Sequence, residues 1–226
     1  MKRSSSRLFV LTSSALVGLG IVVGSLVAAD PAKDAKPAAA KAAPAGQPEF
    51  KLPAGWTEAD MQACMIAATP GEQHKFLAKQ VGVWQGKCQM WMPGGEGEPM
   101  KSDCTYTVTS IMDGRYIKAE LVGEMPGMGP FFGLGITGFD NVSQKFVSTW
   151  VDNHNTGIIN GTGAASQDGR VMTWNFSVNC PITKKPATMR HHETVTGENT
   201  KTLEIFGSDP KTGKEYKAMR VEFTRK

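Results

Sequence analysis

Clustered positive charge is missing from this chain. The 226 residues carry a formal net charge of +4, yet the first 53 hold seven of the 25 basic and three of the 21 acidic residues, which leaves 18 of each for the rest. A balanced remainder with no lysine or arginine run has no electrostatic footprint for a phosphate backbone, so no nucleic-acid partner is expected. Histidine is scarce as well, with four residues. His191 and His192 alternate across an expected strand and so cannot chelate one ion together, and no metal or cofactor motif stands elsewhere. No serine or cysteine sits in a nucleophile elbow, and no catalytic constellation names a reaction.

Long apolar runs are also lacking, apart from one at the N-terminus. Lys2, Arg3 and Arg7 precede an uncharged stretch, Leu8 to Ala29, that ends in Val27-Ala28-Ala29 before Asp30. This is the pattern of a secretory signal peptide over residues 1–29, cleaved to give an exported protein, periplasmic or extracellular. The stretch is long enough to span a bilayer, so an uncleaved anchor would tie the protein to a membrane. Gly18, Gly20, Gly24 and Ser25 dilute it and favour cleavage. Residues 30–53 are rich in Ala, Pro and Lys, and Pro31, Pro37, Pro44, Pro48 and Pro53 break any helix the alanines would start. A disordered tether is expected there.

Residues 54–82 read as helical. Thr57 and Asp60 form a capping arrangement, and Met61, Cys64, Met65 and Ala68 recur at helical spacing as one apolar face, expected to pack as core or lid. Thr69 is expected to cap a second helix with Pro70 at its first position, placing Phe76 and Leu77 inward.

From residue 83 to 226 the period changes to two. Trp84, Cys88, Met90 and Met92 share one face, and Ser102, Cys104, Tyr106 and Val108 continue it on the return strand. Turn signals at Asp113-Gly114, Asp140-Asn141, Asp168-Gly169 and Asp209 to Gly213 separate further short strands. Every connection is short, so sequence neighbours pair in space. The fold class is all-β, an antiparallel up-and-down barrel of about ten strands behind a short helical segment, because closure removes the exposed sheet edges. A hairpin centred on Glu96 would set Cys88 directly opposite Cys104, close enough for a disulfide. Buried free thiols are the alternative, and Cys64 would reach Cys180 only with the first helix against the barrel.

Gly82-x-Trp84 at the head of the first strand resembles the calycin barrels, the lipocalins and fatty-acid-binding proteins. That resemblance implies a tryptophan on the barrel floor crossed by an arginine of the last strand, with Arg220 and Arg225 as candidates. A wider set covers nearly the whole domain: Ala67-Ala68-Thr69-Pro70-Gly71, Lys87-x-x-Met90-Trp91-Met92, Gly138-Phe139-Asp140-Asn141, Phe146 to Asn153 and Phe223-Thr224-Arg225-Lys226. These segments are similar to an exported bacterial family known as domain of unknown function 1579. The resemblance implies a calycin-like barrel and brings no activity or ligand. Paired histidines at 191 and 192 depart from that family pattern.

Three functional readings follow. The first is a binding module whose interior, lined by Met90, Tyr106, Trp150, Trp174 and Met189, takes a small, mainly apolar molecule, with Asp152, His154 and His191 as its polar groups. The second is a hydrolase- or isomerase-like enzyme using Asp152 and His154, two apart on one strand, as an acid/base pair at the barrel mouth. The third is an envelope interaction protein whose barrel is filled by its own side chains.

Overall fold

A computed structural model describes residues 52–226. The expected signal segment and nearly all of the tether lie outside the described residues. Two helices, α1 (Glu58–Ala68) and α2 (Glu72–Ala78), precede ten strands: β1 (Gly82–Met90), β2 (Met100–Ile111), β3 (Tyr116–Met125), β4 (Gly129–Asp140), β5 (Lys145–Asp152), β6 (Ile159–Ala165), β7 (Val171–Asn179), β8 (Pro186–Gly197), β9 (Thr200–Ser208) and β10 (Glu215–Arg225). Each strand pairs antiparallel with its sequence neighbour, and β1 pairs with β10 to close the barrel. Among the described residues no helix is long and apolar enough to cross a membrane.

Aspartates make the tight connections. Asp140 accepts from the Val142 N–H (2.9 Å) and the Ser143 hydroxyl (2.6 Å), Asp168 from Ser166 (2.6 Å) and the Arg170 N–H (3.1 Å), and Asp209 from the N–H groups of Lys211 and Thr212. A short carboxylate that satisfies the backbone of its own turn lets the chain reverse without leaving donors unpaired. Such reversals favour a meander.

The core occupies the end of the barrel near α2. Leu77 enters it, and the ring of Phe76 meets Phe146 at 5.7 Å, so α2 plugs this end. His74 is buried there, its Nδ1 accepting from the Gly71 N–H (3.0 Å) and its edge against Phe139. Val108 and Val221 are the most completely enclosed side chains.

Several expectations need correction. The stripe Met61, Cys64, Met65 and Ala68 does not pack inward: α1 buries no residue, and Met65 and Ile66 remain 60% and 61% exposed. The Thr57 capping box with Asp60 is present. Thr69 ends α1 instead of opening α2, and Gly71 stands at the head of α2. Met92 lies beyond β1 and is exposed. In the β1–β2 hairpin Cys88 faces Ser102 and Gly86 faces Cys104, so the register is two residues from that of a turn centred on Glu96. The cysteines are diagonal neighbours, present as free thiols with their sulfurs 3.4 Å apart. Gly86 makes that approach possible, because a Cβ there would lie 2.5 Å from the Cys104 sulfur. Cys64 is exposed on α1, and it and Cys180 are free thiols too.

Candidate functional site

The floor is built on Trp84. The strand's alternation turns this indole inward, where it is 4% exposed and donates from Nε1 to the Gln80 carbonyl (3.0 Å). Arg225 lies across one face at 4.1 Å from the ring centroid, and its guanidinium donates to the carbonyls of Val81 and Lys79. Gly82 is required beside it. Its φ of +141° favours glycine, and a Cβ would stand 2.7 Å from Nη1 of Arg225. Arg220 has a different place: it points to the outer wall and pairs with Glu222 (3.0 Å) and Glu204 (3.5 Å).

Above the floor sits a charge that the sequence reading did not single out. Lys201, only 3% exposed, places its ammonium 4.8 Å from the Trp84 ring, 5.1 Å from Tyr106 and 5.6 Å from Phe223. It donates to Glu193 (2.7 Å) and to the side-chain oxygen of Gln80 (2.5 Å). A desolvated ammonium is stabilised by that carboxylate and by the ring faces together. The signal was available in the alternation Lys201-x-Leu203-x-Ile205, which puts the lysine on the inward face of β9. Burial, with the nearby Glu193 carboxylate, pushes the Tyr106 hydroxyl well above its ordinary pKa.

Of the expected lining residues, Tyr106, Trp174 and Met189 join the packed interior, while Met90 is buried further along β1. Aromatic rings run continuously from the plug: Phe146 to Trp174 at 6.4 Å, Trp174 to Phe176 at 5.8 Å, and Phe176 to His191 at 4.5 Å. Trp174 is therefore a core residue more than the wall of a space. Trp150 stands apart from this chain, on β5 over Gly133 and Gly135, where a Cβ on Gly133 would lie 2.1 Å from the indole. Its Nε1 donates to Asp152 (3.0 Å).

The expected acid/base pair is not assembled. β5 ends at Asp152, so alternation does not continue to His154. The Asp152 carboxylate takes the His154 backbone N–H (2.9 Å) and the Asn155 amide (2.9 Å) besides Trp150. The His154 ring turns away, stacks on Phe131 at 5.6 Å and pairs through Nε2 with the Pro130 carbonyl (3.1 Å). Asp152 thus caps the turn that ends β5, and His154 fastens that turn to the first residues of β4.

His191 and His192 point to opposite walls, as strand alternation requires. His192 meets Arg190 on the outside, while His191 faces inward opposite Trp174 and Ile205. Burial lowers the pKa of His191 to about 4, against a smaller opposing effect of Glu193. Among the described residues, no group of three or more His, Cys, Asp or Glu side chains is arranged to hold a metal ion.

Beyond the packed floor the inner wall is not fully covered. Leu121, Trp150, Ile159, Met189, Leu203, Ile205 and Met219 all point inward by register and all keep partial exposure. Leu121, Ile159, Met189, Leu203 and Met219 nonetheless pack against the buried core. Two further concavities, of about 320 and 400 Å³, lie on the outer wall: one over β3 to β5 beside Val122, Phe132 and Val151, the other beside Lys87, Lys101 and Asp103.

The fold recurs in solved structures. The crystal structure of Rv2717c from M. tuberculosis is 13% identical with a TM-score of 0.52, covering 70% of this chain and 99% of that one. The S-type phycobiliprotein lyase CPES from Guillardia theta is 8% identical with a TM-score of 0.48, covering 72% of this chain and 96% of that one. At such identities the likeness concerns the fold alone. No curated protein matches the chain in sequence. The profile of the family described as Protein of unknown function (DUF1579) matches residues 69–225, from the end of α1 to the arginine on the barrel floor, and the chain belongs to that family.

Proposed function

We propose that this protein is an exported binding module whose barrel takes one small, mainly apolar molecule above the Trp84 floor. The observation that carries this reading is the set of inward apolar side chains, Leu121, Ile159, Met189, Leu203, Ile205 and Met219, that are only partly buried although the barrel is closed. A concave apolar wall with few polar groups suits such a ligand. The export part rests on the basic and apolar N-terminal segment.

The stack Phe146–Trp174–Phe176 favours a second reading, a barrel filled by its own side chains and used only as a surface. An environment-sensitive dye separates the two. On the first reading the folded protein enhances dye emission at micromolar concentration, and Met189→Trp, which narrows the space above Phe176, weakens binding at least tenfold while the melting curve stays cooperative. Dye emission equal to that in buffer, or dye binding unchanged in Met189→Trp, leaves the filled barrel as the correct reading.

A further inference from the structure

His191 poses a question that the packing leaves open. Among the described residues, its Nε2 is the one buried side-chain nitrogen or oxygen without a hydrogen-bond partner. Buried polar atoms are paired almost everywhere in folded proteins, so each exception asks for an explanation. This one lies inside the barrel, on a ring packed against Phe176 at 4.5 Å and opposite Trp174 and Ile205; Nε2 itself is closed to solvent, while the residue as a whole is only partly buried, so a partner reaches it by displacing the side chains around it.

The charges around it narrow what can pair with it. Glu193, two residues along β8, faces the same interior, and Lys201 from β9 meets it at 2.7 Å, so the two cancel. Two of the three Lys201 N–H donors go to Gln80 and Glu193 and the ammonium lies against three rings, so its charge is already neutralised and an incoming anion would compete with Glu193 for it. The His191 imidazole is uncharged at neutral pH, because burial holds its pKa near 4. A carboxylate entering here would find no cation that is not already neutralised and would approach Glu193, and burying a charge without its own counter-ion is costly. A hydroxyl meets neither obstacle. It both donates and accepts, so it satisfies Nε2 in either tautomer of the ring.

We propose that the molecule held in the barrel is neutral and mainly apolar and carries a hydroxyl, an alcohol or phenol, that hydrogen-bonds Nε2 of His191. This assignment rests on the binding-module reading and names the chemical class of its ligand.

Three probes of one size separate the possibilities: naphthalene, 2-naphthol and 2-naphthoate, titrated at pH 7 by calorimetry or by their own fluorescence. The expected result is that 2-naphthol binds about tenfold or more tightly than naphthalene, a difference of one hydrogen bond, and that 2-naphthoate binds more weakly than both. His191→Phe should remove the preference for the hydroxyl, so that 2-naphthol and naphthalene bind it with equal affinity. Binding of naphthalene and 2-naphthol to the parent protein with equal affinity, a preference that survives in His191→Phe, or tighter binding of 2-naphthoate would each overturn the hydroxyl assignment and leave the binding module standing. Failure of all three probes would overturn both. Should His191→Phe fold poorly, the ¹⁵N resonances of the His191 imidazole in the unaltered protein serve instead: they must move on addition of 2-naphthol and stay fixed with naphthalene.

Discussion

Single residues in this barrel gain their character from which wall they face. Paired histidines illustrate it, since alternation alone says that one of His191 and His192 is inside, but only the register with Trp174 and Ile205 says which. The inward one carries a pH consequence. A histidine whose pKa is near 4 folded and near 6.5 unfolded binds fewer protons in the folded state between those values, so stability falls as pH falls through that window. Glu193 opposes the shift and Lys201 neutralises Glu193, so no other charge on the facing strands rescues the imidazolium. Lowering the pH from 7 to 4.5 should cost the ligand-free protein roughly 2–3 kcal/mol from this group. Urea denaturation at the two pH values measures it. The pH dependence should flatten in His191→Phe, and an equal slope in both proteins would show that the loss arises elsewhere. The cysteines make a parallel point. Each thiol's partner is the other, and their shared hydrogen bond holds Cys88 below its ordinary pKa while, with burial, it pushes Cys104 above its own. The sequence brought the two together, but through the wrong register, because the turn between them contains Gly94, Gly95 and Gly97, all at positive φ, and has no centre readable from residue types.

At the scale of elements, the strands were legible and the first helix was only half so. The period of two and the aspartate turns mark out the strands, and β6, from Ile159 to Ala165, is the shortest of them. The Thr57 capping box also reads correctly, since a cap is local chemistry. What the apolar positions of α1 face is not local, and the sequence carries no measure of it. α1 is held at its C-terminal end by one side chain: the amide of Asn141, from the turn between β4 and β5, donates to the carbonyls of Thr69 (2.8 Å) and Ala67 (3.1 Å), which lack partners within the helix. Two segments of the family pattern, around Ala67 and around Asn141, thus meet in space. Asn141→Ala should release α1 while sparing the barrel, losing about 1 kcal/mol or less of global stability. Hydrogen exchange would show it: amides of α1 exchange at least tenfold faster and those of β7 and β8 are unchanged. Faster exchange throughout the barrel would mean that Asn141 supports the strands directly.

For the whole molecule, closure brings β1, β9 and β10 together at the floor, where Trp84, Lys201, Phe223 and Arg225 meet. Trp84 and Arg225 were readable there as a resemblance, because a tripeptide and a terminal motif carry them; Lys201 and Glu193 were not, because charged residues on a strand are expected to face solvent unless their partners are known. The ion pair connects β8 to β9 and, through Gln80, to the segment leading into β1. Removing one partner therefore leaves the other charge unpaired against apolar rings. Glu193→Gln should destabilise the protein by about 3 kcal/mol, somewhat less than for a wholly enclosed pair since the Glu193 side chain is 20% exposed. Lys201→Met should cost less, because the remaining carboxylate reaches solvent from the barrel interior while the thioether still packs on Trp84, Tyr106 and Phe223. The double variant Lys201→Met with Glu193→Leu removes both charges and keeps the volume, and it should lie within about 1 kcal/mol of the parent or above it. Chemical denaturation of the parent, Lys201→Met, Glu193→Leu and the double variant completes the cycle. Additive losses, with the double variant the least stable of all, would show that the pair does not act as a unit and that the floor is held by Trp84 and Arg225 alone.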